Sequence, residues 1–63
     1  MPIVRIDMME GRTESQKENL IKEVAEAVMR SIDAPEQNIR VIVQEYPKKN
    51  WGIGTLPADK AGR

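Results

Sequence analysis

Two short apolar strand segments bracket one amphipathic helix, and a chain of 63 residues has nothing left to cover the far side of the sheet they would form. Residues 2–9 alternate Val4, Ile6 and Met8 against Ile3, Arg5, Asp7 and Met9, the two-residue period of a strand. Residues 38–45 alternate in the same way, with Ile39, Val41 and Val43 on one face and Arg40, Ile42, Gln44 and Tyr46 on the other. Between them Leu20, Ile21, Val24, Ala25, Val28 and Ile32 recur at spacings of three and four, while Lys17, Glu18, Lys22, Glu23, Glu26 and Arg30 occupy the other side. One helix covers one sheet face. The second face, carrying Arg40, Ile42, Gln44 and Tyr46, is too apolar to be left in water, and two strands alone make a poor sheet. Self-association is the expected remedy.

Local signals set the order of the elements. Gly11 breaks the first strand, and Thr13 followed three residues later by Gln16 is a capping box that satisfies two orphan donors at a helix start. Glu18 to Lys22 and Glu26 to Arg30 have the favourable orientation along the helix, each pair worth about 0.2–0.5 kcal/mol. Pro35 disfavours helical geometry at Ala34 and ends the run. Strand, helix and strand joined by short loops predict a right-handed crossover with parallel strands. Beyond Tyr46 the chain turns polar at Pro47-Lys48-Lys49, and Asn50-Trp51-Gly52-Ile53-Gly54 reads as a small hairpin before a tail containing Pro57. The expected class is α/β: a single domain over residues 1–63, one short β-α-β unit with a C-terminal β-hairpin, assembled through extended sheets.

Composition removes several function classes. Ten basic residues balance ten acidic ones, so there is no electrostatic footprint for nucleic acid or for an anionic membrane surface. Arg5, Asp7, Glu10 and Arg12 interrupt any signal-peptide core, and no run approaches membrane-spanning length. A cytoplasmic protein acting on a small molecule is expected. The chain has no cysteine and no histidine, and no carboxylate cluster at ligand spacing, so neither a disulfide framework nor a metal or other cofactor is expected.

That composition also removes the usual neutral-pH bases and nucleophiles, which directs attention to Pro2. With Met1 removed, Pro2 becomes a secondary amine that can act as either. A base working on a carbon acid must be largely unprotonated, whereas an α-amine has a pKa of about 7.7–8.0 and a secondary amine is more basic still. Burial among Ile3, Met9 and Ile42 disfavours the ammonium form, and arginine cations disfavour it again. The same cations can grip a carboxylate and stabilise an enolate oxygen. With Met1 attached, the Pro2 nitrogen is instead a tertiary amide with neither property.

Pro2-Ile3, Glu10-Gly11-Arg12, the Gln16-Lys17 helix opening, Asp33-Ala34-Pro35, Arg40-Val41-Ile42 and Trp51-Gly52-Ile53-Gly54 together resemble the 4-oxalocrotonate tautomerase family across nearly the full length. The resemblance implies an N-terminal proline general base, on Pro2, that moves a proton on a small unsaturated 2-hydroxy or 2-oxo dicarboxylate such as 2-hydroxymuconate. Arg12, Arg40 and Trp51 would complete the site, with Ile3 and Met9 lining it. It also implies a homohexamer built as three dimers. Thr55 stands where many relatives continue the glycine run, so the hairpin rim is expected to differ.

Strand geometry adds a condition to that assignment. At about 3.3 Å per residue, the first strand carries Arg12 roughly 25 Å from Pro2, so Arg12 must come from an antiparallel neighbour. Arg40 begins the second strand near Pro2 at the same sheet end, so its own subunit or a neighbour could supply it. Two other readings use the same scaffold. One is a hydratase or dehalogenase of short unsaturated acids, for which residues 51–55 offer no acid to activate water; the other is a non-catalytic assembly module, favoured if Met1 is retained.

Overall fold

The computed structural model describes residues 1–62. Strand β1 (Ile3–Met9), helix α1 (Glu14–Ile32) and strand β2 (Arg40–Tyr46) form the β-α-β unit, and β3 (Gly52–Ile53) with β4 (Leu56–Pro57) forms the hairpin. β1 and β2 are parallel, in a register that sets Ile3 opposite Arg40 and Met9 opposite Tyr46. The helix lies over the face carrying Val4, Ile6, Met8, Val41 and Val43, all half-buried, with Ile39 buried at the strand entry. This is the face the alternation assigned to it.

The termini of α1 follow from local chemistry. The Thr13 hydroxyl accepts from the Gln16 N–H at 3.1 Å and the Gln16 side-chain oxygen accepts from the Thr13 N–H at 2.9 Å, completing the capping box. The helix stops at Ile32, earlier than Pro35 alone would require, because Asp33 turns left-handed at φ 56° and returns its N–H to the Met29 carbonyl. Strand β2 also begins later than the alternation suggested. Pro35 opens a short 3-10 turn, Glu36–Asn38, in which Asn38 and Ile39 donate to the carbonyls of Pro35 and Glu36, so these residues are used in turn closure rather than in the sheet.

The hairpin explains why Thr55 is acceptable. Gly54, at φ 63°, occupies the first of the two turn positions, and Thr55 has no positive φ; this is the pattern of a type II′ turn, which needs glycine only at its first position.

At the start of α1, the Lys17 ammonium donates to Glu45 Oε1 at 2.8 Å and ties the helix to the end of β2. The hydrogen bond to Glu45, outweighing desolvation, raises the Lys17 pKa above the ordinary 10.5. A raised lysine pKa adds stability that is complete below the unfolded value and is lost as pH rises through the folded one. Urea midpoints of the wild-type protein should therefore fall as pH rises beyond 10.5, and Lys17→Met should flatten that fall. An equally steep fall in the variant would mean that the pair contributes nothing there.

The isolated chain is an incomplete body. It exposes 4925 Å², where a folded monomer of this mass exposes about 4,100 Å². Its radius of gyration is 14.7 Å, against about 11 Å for a compact chain of this length. Among the described residues only Ile39 and Ala58 are buried hydrophobic residues, while Ile3 is 61% and Ile42 43% exposed on the uncovered sheet face. Contiguous exposure of this kind marks an association surface. Ile42→Asp should convert the native assembly to monomers in sedimentation velocity and abolish activity with it; an active monomer would refute the dependence of function on assembly.

Candidate active site

The residues singled out from the sequence fall at two ends of one strand pair. At the first end, the Pro2 carbonyl accepts from the Arg40 N–H at 3.1 Å, so the proline and the arginine are adjacent where the parallel strands begin. Ile3 lies opposite Arg40 on the uncovered face, and Met1 is 76% exposed, open to removal. The Arg40 guanidinium donates through Nη1 to the carbonyls of Gln37 at 2.8 Å and Ile39 at 3.2 Å. Those bonds use one edge of the guanidinium and leave further donors for an anion.

At the second end, Arg12, Met9 and Trp51 line one open cleft of about 570 Å³, together with Asp7, Met8, Glu10, Gly11 and Lys48. Arg12 comes from the turn after β1. Gly11 there has φ 131°, a conformation side chains rarely adopt, so the chain can leave the sheet edge abruptly. Trp51 follows the 3-10 turn Lys48–Asn50, and its backbone is held at both sides: its N–H donates to Lys48 at 3.2 Å and its carbonyl accepts from Ala58 at 2.7 Å. One wall of the cleft is thus a strand end and the other a pinned loop.

Within one chain, Pro2, Arg40 and Ile3 therefore do not meet Arg12, Met9 and Trp51. The seven residues of β1 separate the two groups by roughly 23 Å. Pro2 is only half-buried, and Ile3 and Ile42, expected to bury it, stay exposed on the uncovered face, with Met9 at the far end of β1.

Lys48 in the cleft was not anticipated by the sequence reading, which treated Pro47-Lys48-Lys49 as a polar turn. The available signal was spacing: in a 3-10 helix of three residues per turn, positions i and i+3 eclipse, so Lys48 shares a side with Trp51. Asp7 and Glu10 also line the cleft, placing acids where residues 51–55 have none. Tyr46, expected merely on the open face, packs its ring against Trp51 with centroids 5.9 Å apart.

Comparison with known proteins places the chain in a family and supports its fold. Residues 2–60 match the family model described as Tautomerase enzyme. The chain is 52% identical to 2-hydroxymuconate tautomerase of Pseudomonas putida, with the whole of both chains covered. It superimposes with a TM-score of 0.91 on a structure of the 4-oxalocrotonate tautomerase isozymes from Methylibium petroleiphilum, at 45% identity, covering 98% of this chain and 100% of that one. A heterohexamer 4-oxalocrotonate tautomerase from Chloroflexus aurantiacus gives 0.88 at 33% identity, covering 95% and 97%. The β-α-β unit with its C-terminal hairpin, and a family match along almost all of its length, identify this chain as a member of the tautomerase enzyme family.

Proposed function

We propose that this single-domain protein, residues 1–63, is a cytoplasmic, cofactor-independent tautomerase of small unsaturated 2-hydroxy or 2-oxo dicarboxylates, with 2-hydroxymuconate the leading substrate. It works as a homohexamer of three dimers. Pro2, freed of Met1, is the base: its nitrogen takes the proton of the 2-hydroxyl and returns it to carbon, giving the conjugated ketone. Substrate and product are isomers, so the balance requires no oxidant, reductant or second substrate.

Each remaining residue has a task set by charge. Arg40 stabilises the oxygen on which negative charge develops, and Arg12 of the neighbouring chain grips the remote carboxylate. Trp51, Met9 and Ile3 exclude water, which strengthens both interactions and disfavours the prolinium form. The observation that carries this reading is the division of the six residues between the two ends of one strand pair, Pro2 bonded to Arg40 at one and Arg12 beside Trp51 at the other.

The test is ultraviolet assay of 2-hydroxymuconate ketonisation by protein whose intact mass has been measured. Catalysis by Met1-free protein is expected; full activity with Met1 fully retained would sink the proline-base mechanism. The presence of Asp7 and Glu10 in the cleft favours hydration of a short unsaturated acid as the second reading. A product heavier than the substrate by one water, which an isomerisation does not give, would distinguish it.

A further inference from the structure

Tyr46 is joined to three separate parts of the cleft that holds Arg12 and Trp51, although it does not line that cleft itself. Its carbonyl accepts from the Glu10 N–H at 2.9 Å, fixing the strand end from which the Gly11-Arg12 turn departs. Its hydroxyl donates to Asp7 Oδ1 at 3.0 Å, a diagonal bond across the uncovered sheet face. Its ring meets the Trp51 indole at 5.9 Å and an interplanar angle of 56°, a tilted arrangement favourable for aromatic pairs. The backbone of Trp51 is held by Lys48 and Ala58, and the Tyr46 ring is the aromatic surface against which its side chain rests.

We propose that Tyr46 is a positioning residue: anchored by Asp7, it sets the orientation of the Trp51 wall relative to Arg12 across the substrate cleft. The proposal rests on the reading of that cleft as the place where the dicarboxylate binds. The hydroxyl bond matters because a tyrosine ring on an open sheet face otherwise has two freely rotating side-chain torsions. Asp7 removes that freedom, and the ring passes the constraint to Trp51. The hydrogen bond to Asp7, burial and the Asp7 charge raise the Tyr46 pKa above 10.0, with the Arg5 cation opposing. Arg5 lies at the edge of ion-pair range, 4.0 Å from Asp7, and does not replace the bond.

The chain has one tryptophan and one tyrosine, so the red edge of the near-ultraviolet circular dichroism spectrum reports Trp51 alone. Tyr46→Phe keeps the ring and deletes the anchor, and Asp7→Ala deletes the same anchor from the other side. Each should weaken the Trp51 band and raise KM for the dicarboxylate about three- to tenfold, with kcat changed much less, because the cleft is loosened and the base is untouched. In the Asp7→Ala background, Tyr46→Phe should add nothing, since the two changes break one interaction. Asp7→Asn, which retains an acceptor, should keep the Trp51 band. An unchanged Trp51 band in Tyr46→Phe, or fully additive effects in the double variant, would overturn the positioning role. Wild-type KM in Trp51→Ala would instead overturn the cleft as the binding site, while the spectroscopic cycle still decides whether Asp7 and Tyr46 hold Trp51.

Discussion

Pro2→Ala should slow ketonisation of 2-hydroxymuconate by about 10²- to 10⁴-fold, the range general acid-base catalysis supplies. The variant keeps an α-amine and the carbonyl that accepts from Arg40, so the β1–β2 register is undisturbed. What changes is the base. A primary amine differs in basicity from the ring nitrogen, and without the ring the nitrogen is no longer held at a fixed angle on the first residue before β1. The effect should appear in kcat and in the pH dependence of kcat/KM, with sedimentation behaviour unaltered. A variant matching wild type in both rate and pH profile would remove Pro2 from the mechanism.

The next largest effect belongs to Arg40, and its contrast with Arg12 tests the division of labour. If Arg40 contacts the oxygen beside the reacting carbons, its hold tightens as the enolate forms. Arg40→Ala should then lower kcat by about 10²- to 10³-fold, as loss of an oxyanion donor does. Arg12→Ala should act mainly through KM, because a remote carboxylate carries the same charge in substrate and transition state. A monocarboxylate lacking the remote group should be nearly indifferent to Arg12→Ala and still sensitive to Arg40→Ala. An equal loss from Arg12→Ala on both substrates would mean that Arg12 acts on the fold or on the Pro2 amine.

The readable parts of this molecule are those in which sequence and local physics coincide. Val4, Ile6 and Met8 against Ile3, Arg5 and Asp7 gave the helix-facing side of β1, because a strand's period is inherent in its backbone. Thr13 and Gln16 marked the start of α1 because a capping box is built from neighbours three residues apart. Ends set by backbone turns were less legible: nothing in the side chain of Asp33 forces a left-handed cap, and Asn38 and Ile39 continue the apolar alternation while their N–H groups serve the turn after Pro35.

The site shows the same boundary. The adjacency of Pro2 and Arg40 followed from parallel pairing, and the distance of Arg12 from Pro2 followed from strand rise. Tyr46 against Trp51, with its hydroxyl on Asp7, was not legible, because it depends on where the loop after Pro47 folds back against the end of β2. The presence of Asp7 and Glu10 in the cleft has the same origin.

The central claim is that one working site is made from more than one chain, and subunit mixing tests it most directly. Pro2→Ala and Arg12→Ala proteins, each impaired alone, are dissociated together in equal amounts and allowed to reassemble. A composite site takes its proline from one chain and its Arg12 from the neighbour, so about a quarter of the sites should receive both intact residues, and activity should recover to that fraction of wild type. If Pro2 and Arg12 act within a single chain, no site in the mixture is complete. Activity remaining at the average of the two parent variants would contradict the account.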